Sequence, residues 1–275
     1  MREVQKHVGS YSGKRIALLL RDNGLGDDIH SLPAIWQKIQ SGYEVHVIGT
    51  GGRRTQYLFE SVGCICWEYE TIGFVEKHLG HYEAIYALSE WCITFEQTHD
   101  ELIDRMAQFA GYIDSSLPKE FNYASFLTPG VSKREGKLLC TRSGSSRRSY
   151  RDELNLLVES SYEFMDKVIP IKDLCYKIFH AEHVIAVDTG VLALALALGT
   201  PCLGIFGPTD EHSILGQFSR YRDMRTVAAV RSDRDDTCQR PCNFLLSRGW
   251  EDRCKTSADC LNELTPRQIL NAIHQ

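Results

Sequence analysis

Residues 183–211 read HVIAVDTGVLALALALGTPCLGIFGPTDE, and the fold turns on how they are parsed. His183–Val187 is a short, nearly continuous apolar run, the pattern of a strand buried on both faces. It runs into Asp188-Thr189-Gly190, whose hydroxyl and backbone amides suit the start of a helix, and Val191–Leu198 supplies that helix from small and aliphatic residues. Cys202–Phe206 is a second buried strand, leaving through Gly207-Pro208-Thr209-Asp210. Strand, helix and strand in succession predict parallel neighbours covered by helices.

The same alternation extends outward. Lys137–Thr141 reads as a strand, Arg151–Glu159 and Lys172–His180 as helices, and Thr265–His274 as a last helix with Thr265 as N-cap and Pro266 at the first helical position. The first half opens with Arg15–Leu20 (RIALLL), a Gly/Asp loop over 21–28, and Ile29, Leu32, Ile35, Trp36 and Ile39 at helical spacing. Glu44–Gly49 is a second strand and Arg53–Val62 a second helix ending at Gly63. Cys64–Trp67 and Glu83–Leu88 are further candidate strands, and Thr98–Tyr112 is an amphipathic helix. Between Asp114 and Gly136 the pattern gives way to Pro118, Pro129, Gly130, serines and mixed charge, as in an interdomain linker. The expectation is an α/β protein of two Rossmann-like domains, residues 1–133 and 134–275, with parallel sheets facing a cleft.

With 275 residues, 43% of them hydrophobic and 24% charged, the chain is long enough to bury two cores. A net charge of −5 excludes affinity gained by blanketing a polyanion with lysine and arginine. The amino-terminal MREVQKHVGSYSGKR has no apolar signal core, and no stretch approaches the roughly 18 apolar residues of a membrane span, so a cytoplasmic protein is expected. Ten cysteines in such a chain are expected to be reduced. Cys64, Cys66, Cys92, Cys140, Cys175 and Cys202 lie in apolar runs, where cysteine behaves as a small buried hydrophobe. Cys238, Cys242, Cys254 and Cys260 instead form C-x3-C-x11-C-x5-C within segment 238–260. That spacing fits a tetrathiolate structural zinc site, with disulfides and unlinked thiols as the alternatives.

Three loops could carry chemistry. Gly24-Leu25-Gly26-Asp27-Asp28 follows the first strand and opens a helix, at the sheet edge where ligands of open parallel sheets bind. It fails as a dinucleotide fingerprint because the third glycine position is Ile29. Either it presents a carboxylate to a ligand, or Asp27 or Asp28 simply caps the helix. The second loop, Thr141-Arg142-Ser143-Gly144-Ser145-Ser146-Arg147-Arg148, joins small hydroxyl residues to arginines, with Arg151 close behind. Such a donor-rich nest suits a diphosphate, and a solvated basic loop is the plain alternative. The third is Asp188-Thr189-Gly190 with its neighbour Gly207-Pro208-Thr209-Asp210, again small, polar and helix-capping.

GLGDDIHSLPAI, TRSGSSRR and VDTGVLALALALGTPCLGIFGPTDE together resemble glycosyltransferase family 9, the bacterial heptosyltransferases, in both order and spacing. The resemblance implies the two-domain GT-B fold, with the donor nucleotide on the carboxyl-terminal domain and the acceptor on the amino-terminal one. It also implies an inverting reaction without a catalytic metal. Carried over by motif, Asp27 beside Gly26 is the general base. Thr141, Ser143, Ser145 and Arg148, with Arg147 beside it, are the phosphate-binding group, and Asp188, Thr189 and Gly190 are the turn at the donor. Cysteine-rich tails in the family, some linked to a metal, add weight to zinc or iron at Cys238, Cys242, Cys254 and Cys260. The chain departs from the family pattern at Ala193, where relatives commonly carry histidine, and in the compressed stretch between Arg151 and Lys172.

These residues define the chemistry expected. A sugar carried on a nucleoside diphosphate already has a leaving group, so the protein must hold two phosphates, offset their charge on departure and take a proton from the acceptor hydroxyl. The arginines and helix amino termini serve the first need and Asp27 the second. The co-substrate is a nucleotide-diphosphate sugar, ADP-heptose-like or related. The acceptor is a glycan, lipid-linked sugar, protein or modified nucleic acid. A non-catalytic nucleotide-sugar-binding or structural module and a nucleotide-sugar epimerase are the alternative readings.

Overall fold

The computed structural model describes residues 14–20, 24–49, 52–67, 81–87, 121–130, 135–141, 150, 152, 161–165, 169–207, 211, 215, 218, 227–231 and 260–274. The chain divides into two compact units, Met1–Ile93 with Arg105–Pro118, and Thr94–Asp104 with Lys119–Gln275.

The first unit runs β1 (Lys14–Leu20), α1 (Leu25–Gln40), β2 (Tyr43–Gly49), α2 (Gly52–Ser61), β3 (Ile65–Trp67) and β4 (Ala84–Ala87). Its described strands are all parallel and lie in the order β3-β2-β1-β4. Ala17 and Ile48 share one sheet face with Leu19, Trp67, Tyr82 and Ile85, which by strand alternation leaves Ile16, Leu18, Val45 and Val47 to the other. α1 packs on β2 and α2, and buries Ile29, Leu32 and Ile35, the residues whose spacing marked it as a helix. Gly63, at φ 100, ends the α2 turn in the left-handed region that glycine enters without strain.

The second unit contains α3 (Tyr123–Leu127), β5 (Lys137–Cys140), β6 (Glu163–Phe164), α4 (Ile171–His180), β7 (His183–Val187), α5 (Gly190–Leu198), β8 (Cys202–Phe206) and β9 (Val227–Arg231). It closes with α6 (Pro266–Asn271) between 3-10 turns at Cys260–Glu263 and Ala272–His274. The sheet order is β6-β5-β7-β8-β9, again parallel throughout. Leu139, Ile185, Val187, Leu203 and Ile205 pack with Leu261, Leu264, Ile269 and Ala272, so the carboxyl-terminal segment covers one part of the sheet. α6 has the expected start: Thr265 Oγ1 accepts from the Gln268 amide at 3.3 Å, and Gln268 Oε1 accepts from the Thr265 amide at 2.9 Å.

The strands and helices expected from residues 183–206 appear within one residue of their predicted bounds. Three short elements escaped the sequence reading. α3 falls within the stretch 114–136 that resembled a linker. Asn122 caps it by accepting from the Ala124 amide at 3.0 Å, and Phe121, Tyr123 and Leu127 are buried. A single turn between Pro118 and Pro129 is too brief to show a helical period. β6 has two residues and β9 five, and neither was anticipated. The helix expected over 98–112 lies outside the described residues, as does that over 151–159 apart from Asp152.

Candidate functional site

Strand order marks a candidate ligand edge in each unit. In an open parallel sheet, loops at the carboxyl ends of two strands diverge where the winding reverses, and the crevice left there receives ligands. In the first sheet β2 and β3 lie to one side of β1 and β4 to the other, so the reversal falls beside β1. In the second, β6 lies on one side of β5 and β7 on the other, so the reversal falls between β5 and β7.

β1 leads toward Gly24, which caps α1 in an extended conformation with φ −74 and ψ 158. Asp27, in the first turn, folds back so that its Oδ2 accepts from the Gly24 amide at 2.8 Å. It thus does what the plain capping reading asks, and an acidic group there complements the helix dipole. Gly24 has an unremarkable φ, so its lack of a side chain matters for space: a Cβ would stand 3.3 Å from Asp27 Oδ2. Gly26 is half-buried, and Asp28 is buried with its carbonyl accepting from Ser31 Oγ at 2.7 Å. One turn beyond Asp27, burial pulls the His30 imidazole down to about 3, so the ring is neutral at physiological pH.

β5 ends at Cys140 opposite Ala186 of β7, so Thr141 follows on beside Val187, the last residue of β7. Thr141 is fully buried, and its carbonyl accepts from the Tyr150 amide at 2.8 Å. The two residues that flank segment 142–149 therefore meet. The Tyr150 hydroxyl, also buried, donates to the Leu264 carbonyl at 2.9 Å. Past β7, half-buried Asp188 and Thr189 lead to Gly190, the first residue of α5. The Thr189 hydroxyl donates to the Val187 carbonyl at 3.1 Å and makes no side-chain cap, so the amides that open α5 point onward without one. Ala193 is buried.

Thr141, Asp188, Thr189 and Gly190 thus share one sheet edge, while Gly26 and Asp27 occupy the corresponding edge of the other unit. Ser143, Ser145, Arg147 and Arg148 lie outside the described residues, as do Cys238, Cys242 and Cys254. Cys260 stands at the start of the first 3-10 turn. Among the described residues no three His, Cys, Asp or Glu side chains gather as metal ligands. Cys140 and Cys202 are buried, Cys64, Cys66 and Cys175 are thiols outside any disulfide, and burial pushes Cys66 and Cys175 up to about 12, as befits structural residues. Cys92 lies outside the described residues. No helix among them is long and apolar enough to cross a membrane.

Sequence reasoning missed Tyr150. An aromatic residue after a basic loop carries no local signal of a bond to a carbonyl 114 positions away. It also missed a buried polar cluster in the first unit. The Glu44 carboxylate receives Arg15 and, at 2.9 Å, His46 Nε2, while His46 Nδ1 lies 2.8 Å from the Tyr82 hydroxyl and 3.1 Å from Trp67 Nε1. An indole only donates, so Nδ1 is the acceptor and the imidazole proton sits on Nε2, facing Glu44.

Comparisons with known proteins agree with this fold. The chain shares its fold with E. coli heptosyltransferase WaaC, solved with ADP-2-deoxy-2-fluoro heptose: identity is 13%, over 86% of this chain and 99% of that one, with a TM-score of 0.54. With the iron-containing dodecameric glycosyltransferase TibC from enterotoxigenic E. coli, identity is 14% over 95% of this chain and 75% of that one, TM-score 0.60. With E. coli ADP-heptose lps heptosyltransferase II, it is 11% over 94% and 97%, TM-score 0.52. The protein accordingly has the α/β fold of the GT-B class, two Rossmann-like units with parallel sheets. Residues 155–242, about a third of the chain, match the family model for glycosyltransferase family 9 (heptosyltransferase). The resemblance to that family read from the motifs is therefore borne out, by this segment and by the fold of the whole. No curated protein matches the sequence.

Proposed function

We propose that the chain is a short, divergent heptosyltransferase-like enzyme that moves a sugar from a nucleoside-diphosphate donor to an acceptor hydroxyl with inversion at the anomeric carbon. The observation that carries this reading is the strand order β6-β5-β7, which sets Thr141 and Asp188-Thr189-Gly190 at the reversal point of the second sheet. A diphosphate there would meet the uncapped amides of α5 and, from the loop between Thr141 and Tyr150, the side chains of Ser143, Ser145, Arg147 and Arg148. The structures of relatives with bound ADP or ADP-2-deoxy-2-fluoro heptose support a nucleotide of that kind as donor.

In the proposed reaction the acceptor oxygen attacks the anomeric carbon from the face opposite the diphosphate, and Asp27 takes the hydroxyl proton. The bond from that carbon to the phosphate oxygen breaks, and the nucleoside diphosphate leaves with the electron pair. Arginines and helix amides offset its charge, and no metal is needed for the step. Incubation with a panel of nucleotide sugars and candidate acceptor glycans, lipid-linked sugars, proteins and modified nucleic acids, followed by assay of released nucleoside diphosphate, tests this directly. Release above the rate of spontaneous hydrolysis is expected for at least one donor. Tight binding with no release under any acceptor would favour a binding module, the reading to which Ala193 in place of histidine points.

Cys238, Cys242, Cys254 and Cys260 are proposed as a structural zinc or iron site. Protein purified without chelator is expected to carry one of these metals near stoichiometrically, and metal-free protein of undiminished stability would end that assignment.

A further inference from the structure

We propose that His46 is a two-position proton switch, which on protonation exchanges its bond to Trp67 for one to Tyr82. The switch lies wholly within the first unit and does not depend on the glycosyltransferase activity. The imidazole is 1% exposed and stands in β2, with Ala17 of β1 and Ile65 of β3 as its strand partners. Nε2 lies 2.9 Å from Glu44 Oε1, while Nδ1 lies 3.1 Å from Trp67 Nε1 and 2.8 Å from the Tyr82 hydroxyl. Trp67 is the last residue of β3, and Tyr82 stands two residues ahead of β4. One side chain of β2 thus holds the end of one strand and the approach to another.

The two contacts at Nδ1 differ in kind. An indole only donates, whereas a phenol donates or accepts. The neutral ring, with its proton on Nε2, donates to Glu44 and receives the Trp67 N–H at Nδ1. A second proton, taken from solvent, occupies Nδ1. That N–H then faces the Trp67 N–H donor to donor, and the Tyr82 oxygen beside it becomes the acceptor. Burial holds the Tyr82 phenol well above its ordinary value, against a smaller opposing pull from Arg15, so the hydroxyl keeps its own proton while it accepts. Among the described residues, the charged or titratable groups bonded to this ring or to its carboxylate are Arg15 from β1, Glu44 from β2 and Tyr82 ahead of β4, while β3 brings the Trp67 indole. The Glu44 carboxylate favours the charged ring, and burial and Arg15 oppose it. Carboxylate on one side and hydroxyl oxygen on the other give both N–H groups of the charged ring an acceptor, as a buried cation requires.

An NMR titration of the ¹⁵N-labelled full chain between pH 8 and 5 tests this. The His46 ring nitrogens are assigned by their loss in H46Q and the Trp67 indole by its loss in W67F. In the wild type, Nδ1 is expected to pass from acceptor to protonated nitrogen, and the Trp67 indole N–H to shift and exchange faster with the same midpoint. W67F removes the donor that favours the neutral ring, and should raise the proton affinity of His46 by roughly tenfold, the scale of one hydrogen bond. Y82F removes the acceptor that awaits the charged ring, and should lower it by roughly the same factor. The opposite signs distinguish an exchange of partners from a general loosening of the core, which would move both variants the same way and overturn the proposal. The wild-type titration decides without any variant: a ring that stays neutral while the protein is folded is no switch, and a ring that titrates while the Trp67 indole stays unmoved does not exchange its partners.

Discussion

At the scale of single residues, Asp27 has an observed duty and a proposed one. Its Oδ2 accepts from Gly24, which fixes the carboxylate at the helix start, and the proposed reaction would ask the same carboxylate to receive a proton. D27N retains an oxygen able to accept from Gly24 but cannot act as a base. Turnover of D27N is expected to fall by ~10²–10⁴-fold, with donor affinity and melting temperature near wild type; wild-type turnover would release Asp27 from the role. His30, one turn away, gives a second prediction. Its folded value, about 3, lies below the ordinary 6.5 because burial disfavours the charged ring. The unfolded chain thus binds the proton more readily. Stability from this group is full above pH 6.5 and is lost as pH falls from there toward 3, with a slope of at most about 1.4 kcal/mol per pH unit. Urea titrations of wild type and H30Q between pH 7.5 and 5 should show the wild type losing stability faster; parallel curves would mean the imidazole does not titrate as described.

At the scale of elements, what was legible in the sequence depended on how much local pattern each element needed. β7, α5 and β8 declare themselves because buried parallel strands are apolar runs and their turns need small, capping residues. α6 declares itself through Thr265, Pro266 and Gln268, which act within one turn. α3, β6 and β9 are too short or too weakly patterned to do so. The chemistry of the site was legible as residue types, Asp27 at one helix start and Thr189 and Gly190 at another. The direction of the Thr189 hydroxyl toward Val187 was not, nor was the strand order that puts Thr141 next to Asp188, since both depend on pairings remote in sequence. β8 also hides a tight requirement. Gly204 has ordinary backbone geometry, yet a Cβ there would lie 2.5 Å and 2.9 Å from ring atoms of Phe206 and 3.2 Å from Leu192 Cδ2. Phe206 and Leu192 are both fully buried, so neither can swing into solvent. G204A is expected to destabilise the protein by about 1–3 kcal/mol in denaturant unfolding, the usual cost of overpacking. A neutral G204A would mean that the Phe206 ring repacks freely.

At the scale of the whole molecule, two sheets with separate reversal points imply a division of labour that binding can expose before any acceptor is known. The β5 and β7 edge gathers amides and hydroxyls, donors that suit an anion. The β1 edge presents carboxylates, which repel one. ADP added to the intact protein should therefore leave a one-sided footprint in hydrogen exchange. Slower exchange is expected at Thr141, Tyr150 and the first turn of α5, around Gly190–Leu192, while Gly24–His30 keep their ligand-free rates. Binding should also raise the free energy of unfolding by about 2.7 kcal/mol at a hundred times Kd. The opposite footprint, protection at Gly24–His30 with none at the α5 start, would place the nucleotide on the first unit. It would make the carboxylates beside β1 part of a nucleoside pocket and remove the ground for proposing Asp27 as the base.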